Sequence, residues 1–394
     1  MCGLCGIWGE PGERRVGEMV RAMDHRGPDD RGTFSDSQIS LGMARLAIID
    51  VTAGGHQPMS TPGGLIHIVY NGETYNYLSE RERLQARGHT FASTSDTEVV
   101  LRMYEEYGDA FVQRLRGMFA LAIYDRRRGP GRERLLLARD HFGIKPLLYA
   151  ELGNQLVFAS EIKAMLASGL IRPEIDPVGL RYLLTYGSVY QPHTILKGVK
   201  MLPPAHTLLL NKDGMRIERF WSLGVDRLPD LGAIPYEAAV SEMDDILSES
   251  VRLQMISDVP LGAFLSGGID SSLMVAMMSK ASTEKVKTYA VGFGAEGREM
   301  DETDDAALTA QFIGTDHTRV TVTGTDVRRD IEHIALGLDQ PSVDGVNTYY
   351  VARAARTGVT VAISGNGGDE LFAGYPWFIF MKNDQERRQR SAVK

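Results

Sequence analysis

The spacing of apolar residues changes character once along this chain, and that change limits the fold each half can adopt. Up to about Trp221 the hydrophobic runs are short, as in β-strands, over residues 4–9, 39–50, 65–71, 118–124, 134–139, 147–151 and 155–159. Helical periodicity is clearest over 97–107, where Val99, Val100, Met103 and Tyr104 fall on one face. Adjacent strand pairs with few helices between them predict stacked, largely antiparallel sheets covered by helices. From about Tyr236 the pattern becomes strict alternation. A helix over 237–253 precedes strand 259–265, helix 272–280, strand 286–293, helix 302–313, strand 319–322, two more helices and strand 359–363. Such alternation predicts a parallel, doubly wound sheet. The join falls at 222–235, which carries two prolines and two glycines. Two domains are therefore expected, residues 2–221 and 236–394, the first α+β and the second α/β. The length of 394 residues is itself about that of two domains.

Composition narrows the class of activity. Apolar residues make up 43% and charged residues 24%, enough for two cores and too much for a disordered chain. A net charge of −8 leaves no Lys/Arg surplus for nonspecific nucleic-acid binding. No run approaches the ~18 consecutive apolar residues of a membrane span, and no basic segment followed by an apolar one opens the chain. The two cysteines, Cys2 and Cys5, form no disulfide framework and fit a reducing compartment, so a cytoplasmic protein is expected. Nine histidines lie without metal-ligand spacing, which predicts no structural zinc. The basic stretch 386–394 reads as a solvated end.

Cys2 follows the initiator methionine directly. Trimming of Met1 places a thiol and a free α-amine on one residue. The amine titrates near ~8 and the thiol near ~8.5, so the amine can accept the thiol proton directly or through water. Arg45 could hold a substrate carboxylate as a two-pronged fork. Asn71 and Gly72, where the run 65–71 ends, offer a side-chain amide and a backbone N–H to a developing oxyanion, each donor worth ~3–4 kcal/mol of barrier in comparable sites. Glu73 and Asp96 could accept from a substrate ammonium. Each has a plainer reading: Arg45 a surface ion pair, Asp96 a helix cap, Asn71-Gly72 a hairpin turn.

Together the strings Cys2-Gly3, His25-Arg26-Gly27-Pro28-Asp29, Arg45-Leu46, Asn71-Gly72-Glu73-Thr74-Tyr75-Asn76, Ser95-Asp96, Gly117-Met118-Phe119-Ala120 and the run from Arg139 to Leu147 resemble, in this order, class II glutamine amidotransferases. The resemblance covers residues 2 to 210. It implies an N-terminal-nucleophile hydrolase with an αββα sandwich, in which Cys2 attacks the glutamine amide. Asn71 and Gly72 would then form the oxyanion hole, and Arg45, Glu73 and Asp96 would bind the amino-acid head of glutamine.

In the second half, the run 259–265 leads into Ser266-Gly267-Gly268-Ile269-Asp270-Ser271-Ser272 and then a helix. Two glycines let backbone amides approach a phosphate at a positive helix end, the serines add hydroxyls, and Asp270 can take Mg²⁺. A glycine turn with a helix cap is the plainer reading. A second loop, Ser364-Gly365-Asn366-Gly367-Gly368-Asp369-Glu370, follows the strand over 359–363 and would reach the same sheet edge. The first loop looks like that of enzymes cleaving ATP to AMP and pyrophosphate. The full order of motifs resembles the glutamine-hydrolysing asparagine synthetase family over nearly the whole chain. The resemblance implies that aspartate and ATP give an acyl-adenylate and that ammonia from the first site, passing through an internal tunnel, displaces AMP. It places ATP against Phe264, Val291, Ser364 and Gly365, pyrophosphate against the loop Ser266, Gly267, Gly268, Asp270, Ser271 and Ser272, and Mg²⁺ near Asp270 and Asp369. Glutamine, ATP and aspartate are the partners so implied, with a homodimer as one assembly the sequence leaves open.

Two departures stand out. Asn366 occupies a position where the family carries glutamate. The family's synthetase domain also continues well past the second loop, including a lysine that meets pyrophosphate, whereas this sequence ends about twenty residues beyond Tyr375. An ATP-pyrophosphatase-like domain incomplete at its C-terminus is therefore expected, with an exposed apolar patch over 371–381 and weak synthetase activity. Three alternatives stay open: amidation of another carboxylate, ring closure of the β-lactam synthetase kind, and a glutaminase or non-catalytic partner without ligase function.

Overall fold

The computed structural model describes residues 1–10, 12–224, 234–294 and 301–392, with side chains as far as 384. Most of the join over 222–235, and the side chains of the basic stretch 386–394, lie outside the described residues. The chain divides into two compact units, Met1–Tyr236 together with Glu332–Gly345, and Glu237–Ile331 together with Val346–Lys394.

The first unit runs β1 (Gly3–Trp8), α1 (Glu13–Ala22), β2 (Asp30–Ser35), β3 (Ile39–Arg45), β4 (Met59–Ser60), β5 (Ile66–Thr74), α2 (Tyr77–Gln85), α3 (Asp96–Tyr107), β6 (Gly117–Asp125), β7 (Arg134–Arg139), β8 (Leu148–Leu152), β9 (Gln155–Ala159), α4 (Ile162–Ala167), α5 (Pro177–Tyr186), β10 (Lys200–Met201), β11 (His206–Asn211) and β12 (Gly214–Arg219). Two six-stranded sheets result, ordered β10-β8-β9-β1-β3-β2 and β12-β11-β7-β6-β5-β4. Every strand pair in them is antiparallel.

Alternation along β1 shows how the layers stack. Cys5 and Ile7 face α1 and α4, meeting Val16, Met19, Val20 and Met165. Leu4 and Trp8 face the second sheet, meeting Val69, Ala122, Tyr124 and Leu137. A strand buried on both faces needs apolar residues at nearly every position, which is why the run 4–9 reads as continuous. Gly6 is required between them, because a Cβ there would overlap the Phe158 ring. The outer face of the second sheet is covered by α3 against β5, with α2 beside α3. The order is helix, sheet, sheet, helix. The strand expected over 39–50 stops at Arg45, where its pairing with β1 and β2 ends, and Asp50 further on takes a left-handed conformation at φ 58.

The second unit comprises α6 (Tyr236–Gln254), β13 (Leu261–Phe264), α7 (Ile269–Ala281), β14 (Lys287–Gly292), α8 (Thr303–Ile313), β15 (Asp316–Thr321), the start of α9 (Gly324–Leu338), α10 (Val346–Ala355), β16 (Val361–Ile363), α11 (Gly368–Phe372) and α12 (Pro376–Ala392). Its four strands pair in parallel, in the order β15-β14-β13-β16. Met274, Val275, Met278, Ala306 and Ala310 of α7 and α8 pack with Ala263 and Ala290. Ala355 at the end of α10 meets Tyr289 with Val359 in a second cluster. The sheet is thus doubly wound. Leu371, Phe372, Trp377, Ile379, Phe380 and Met381 are all at least half exposed, as the sequence suggested for this stretch.

The stretch Glu332–Gly345, late in the sequence, belongs to the first unit. Asp339, left-handed at φ 59, accepts hydrogen bonds from Ile162 N (2.6 Å) and Lys163 N (3.1 Å), the first amides of α4. Gln340 Oε1 accepts from Ile195 N, and Val343 N donates to Gly187 O.

Candidate functional site

Six residues singled out in the first half, Cys2, Arg45, Asn71, Gly72, Glu73 and Asp96, line one pocket with Met1, Gln57, Tyr70 and Lys145. They converge because β1 and β3 are neighbours in one sheet while β5 and the start of α3 meet on the other. Asn71 and Gly72 lie inside β5, opposite Ala120 and Phe119 of β6, so they form no turn. A Cβ at Gly72 would overlap Met118 O and stand 2.7 Å from Phe119 Cα, and only glycine fits there without prising the strands apart. Asp96 does not cap α3. Ser95 does, accepting from Thr97 N, and this frees Asp96 to turn inward and accept from Thr74 N at 3.0 Å.

Asn71 is 1% exposed, and its Nδ2 finds no acceptor among the described residues. An unpaired buried amide donor costs roughly 1–3 kcal/mol. Here it belongs to the pocket wall shared with Cys2. The Cys2 thiol lies 3.4 Å from Leu46 N, which donates to it. Arg45, 6% exposed, spends one guanidinium nitrogen on Ile49 O (3.1 Å) and Asp50 O (2.6 Å), which fixes the plane of the group at the pocket wall.

Burial dominates the electrostatics. It pushes the Cys2 thiol up, opposed by the Met1 α-amine, the Leu46 amide, Arg45 and Lys145. It brings the Met1 α-amine down to about 6. It raises Glu73 to about 7, with Lys145 pulling back, and Asp96 to about 6, against hydrogen bonds from Thr74 and Thr97.

The supporting residues went unnoticed as site residues in the sequence, although the strings holding His25, Arg26, Asp140 and Lys145 were noticed; Glu161 and Lys163 lie in none of them. Arg26 donates from Nε to Cys2 O (2.7 Å) and from Nη1 to the buried Glu161 (2.8 Å). Glu161 is also held by His25 and Lys163. Burial would raise its pKa, yet the His25 hydrogen bond and the charge of Arg26 win and hold it near about 2. Asp140 accepts from Phe119, Phe142, Ile144 and Lys145 amides, so the run 139–147 is a backbone knot presenting Lys145 to the pocket. Only the repetition of charged residues in those strings hinted at this.

In the second unit, Phe264 ends β13, Val291 lies one residue from the end of β14, and Ser364 follows β16. All three stand at the carboxyl edge of adjacent parallel strands. Both glycine-rich loops leave from that edge and touch: a Cβ at Gly365 would come within 2.9 Å of Ser271 N, and one at Gly368 would overlap the Asp270 carboxylate. The serine hydroxyls are partly spent on the loop itself. Ser266 N donates to Ser271 Oγ (3.1 Å), Gly268 N to Ser266 Oγ (3.1 Å), and Ser272 Oγ to Gly268 O (2.7 Å). These bonds hold Gly267 and Gly268 open to solvent at the start of α7, whose first-turn amides an α-helix leaves without partners. The Asp369 carboxylate is packed against Gly374. Among the described residues no group of three or more His, Cys, Asp or Glu gathers that could hold a metal. Two loop carboxylates, Asp270 and Asp369, fit a Mg²⁺ that takes most of its ligands from phosphates and water.

Comparison with known proteins matches residues 1–221 to a glutamine amidotransferase domain model and residues 242–392 to an asparagine synthase model. Asparagine synthetase [glutamine-hydrolyzing] 1 of Bacillus subtilis is 37% identical over 95% of this chain and 59% of its own length. Asparagine synthetase [glutamine-hydrolyzing] 3 of the same organism is 34% identical over 96% of this chain and 64% of its own. A putative asparagine synthetase [glutamine-hydrolyzing] 2 of Methanocaldococcus jannaschii is 35% identical over 95% of this chain and 76% of its own. The chain thus spans less than two thirds of the two Bacillus proteins.

Proposed function

The chain belongs to the glutamine-hydrolysing asparagine synthetase family, and from that premise we propose that it releases ammonia from glutamine in the first unit and serves ATP-dependent amidation of a carboxylate, aspartate foremost, in the second. The observation that carries the first step is the orphaned Asn71 Nδ2 in the pocket of Cys2. Once Met1 is removed, the α-amine of Cys2 takes the thiol proton and Sγ adds to the side-chain carbonyl carbon of glutamine. The carbonyl oxygen becomes an oxyanion facing Asn71 Nδ2 and the Gly72 N–H, donors already desolvated and fixed. The protonated amine returns its proton to the leaving nitrogen, so ammonia departs and a thioester remains. Water then attacks the thioester and restores the thiol with glutamate as product. Arg45 receives the substrate carboxylate, and Glu73 with Asp96 its ammonium.

In the second unit, a carboxylate oxygen of the acceptor attacks the α-phosphorus of ATP, pyrophosphate leaves, and ammonia displaces AMP from the acyl-adenylate. The amides of Gly267, Gly268 and the first turn of α7 suit the departing pyrophosphate. Phe264, Val291, Ser364 and Gly365 line the sheet edge proposed for the nucleotide. Mg²⁺, when bound by Asp270 and Asp369, would neutralise phosphate charge. Asn366 has no carboxylate, so no base is assigned to it. Two free cysteines, Cys2 and Cys5, support a cytoplasmic setting.

The test incubates the chain with glutamine, ATP, Mg²⁺ and a panel of acids, following glutamate, pyrophosphate and amide separately. Glutamate formation that depends on Cys2, with AMP and pyrophosphate as the nucleotide products, is expected. ADP and inorganic phosphate would sink the adenylate step.

A further inference from the structure

Lys145 stands in the pocket with its ammonium unpaired among the described residues. Asp140 Oδ2 accepts from its N–H (2.9 Å) and Arg139 Nε donates to its carbonyl (2.8 Å), so the backbone on both sides of its side chain is pinned. Among the described residues its ammonium makes no hydrogen bond and no ion pair within 4 Å, although it lines the pocket beside Cys2 and Glu73. The other basic groups there are committed: Arg26 to Glu161 and the Cys2 carbonyl, Arg45 in part to Ile49 and Asp50. A half-buried ammonium without a counter-ion is unfavourable unless it faces an anion across the cavity.

The anion on offer is Glu73. Around it stand the Met1 α-amine and the Cys2 thiol just ahead of β1, Arg45 from β3, Asp96 from α3, Tyr75 beyond the end of β5, and Lys145 from the 139–147 knot, whose Asp140 carboxylate acts on Lys145 and Tyr75. Asp96 disfavours a charged Glu73, and Lys145 is the leading influence in its favour. Glu73 in turn is the leading influence that keeps Lys145 charged against burial.

We propose that Lys145 is a positioning residue of the glutamine pocket whose ammonium keeps the Glu73 carboxylate ionised, so that Glu73 can receive the α-ammonium of glutamine. This rests on the glutamine reading above. A carboxylic acid in its neutral form would offer that ammonium only a weak acceptor, and glutamine affinity would fall with pH as Glu73 takes up a proton.

Glutamine binding to the full chain carrying Cys2→Ala, measured by calorimetry from pH 5.5 to 9, isolates this effect from turnover. An acidic loss of affinity near pH 7 is expected, absent when Glu73→Gln is added. Lys145→Met on the same background should move that loss upward by about one pH unit, weakening binding roughly five-fold at pH 7, and Lys145→Arg should restore it. A general packing defect would lower affinity at every pH and would not be rescued by arginine. A pH profile that Lys145→Met leaves in place, or one that survives Glu73→Gln, overturns the inference while the glutamine reading stands. Absence of glutamine binding at every pH overturns the glutamine reading itself, and the inference with it.

Discussion

The two units prepare chemistry in opposite ways. In the first, the candidate side chains are sealed between layers: Asn71, Arg45 and Asp96 are nearly inaccessible, and burial is the leading influence that moves the Met1 α-amine, Glu73 and Asp96 toward neutrality. In the second, the strands that aim the loops are only four and three residues long, and Ser266, Gly267, Gly268 and Asn366 stand in solvent. A site that must distinguish two forms of one small amide benefits from side chains fixed in a dry wall. A site for a large polyanion can rely on backbone amides, which carry fixed dipoles wherever the strand ends. The difference teaches that substitutions should act locally in kind: charge and orientation matter in the first pocket, space for backbone in the second.

Cys2→Ala is the sharpest way to separate them. Glutamine hydrolysis should vanish while ATP–pyrophosphate exchange with the acceptor acid is unchanged; loss of both would mean the units are not chemically independent. Asn71→Ala should cut glutaminase turnover by ~100 to 1000-fold with a smaller change in affinity, since the donor acts mainly on the transition state. An effect confined to affinity would make Asn71 a binding residue instead. Gly368→Ala reverses the pattern: its methyl group would displace the Asp270 carboxylate, and exchange should fall about 100-fold, as expected for a displacement near 1 Å, with glutaminase kinetics intact.

Acid titration compares the units through stability. Glu161 is depressed to about 2 in the folded state against about 4.3 unfolded, so its contribution is present above pH ~4.3 and lost as pH falls toward 2. The loss amounts to about 3 kcal/mol, and Glu161→Gln should flatten that part of the urea-unfolding profile of the first unit. The smallest effect expected is that of Asp339→Ala, about 2 kcal/mol from a missing helix cap and an alanine held at positive φ. Asp339→Asn should lose less, because asparagine tolerates that backbone and can still accept. Equal losses for the two would show that the charge at α4 is what counts.

Much of this was legible in advance where the signal was local. The parallel order of the second half and helix 97–107 both follow from periodicity over a few turns. Six pocket residues came from the chemistry each side chain offers beside a Cys2 nucleophile, joined by a resemblance in motif order, and the structure brings those six into one cavity. β2 escaped because Asp-Arg-Gly-Thr-Phe-Ser alternates in exposure with scarcely an apolar residue to show it. β12 escaped for a related reason, being an exposed edge strand. Arg26, Glu161 and Lys145 escaped because their roles depend on partners far away in sequence, 135 residues apart for Arg26 and Glu161. The hairpin and cap readings of Asn71-Gly72 and Asp96 failed because sheet pairing and Ser95 took those roles.

The return of Glu332–Gly345 to the first unit bears on how the protein is made. Synthesis runs from the N-terminus, and domains commonly fold as they emerge. Both sheets of the first unit are complete in the nascent chain by Arg219, yet the amides that open α4 gain their carboxylate only when Asp339 has left the ribosome. Until then the neighbourhood of Glu161 and Arg26, and through it the Cys2 carbonyl, is a partly finished assembly. Vectorial synthesis thus delays the last tightening around the Cys2 pocket until three of the four strands of the second unit have been translated.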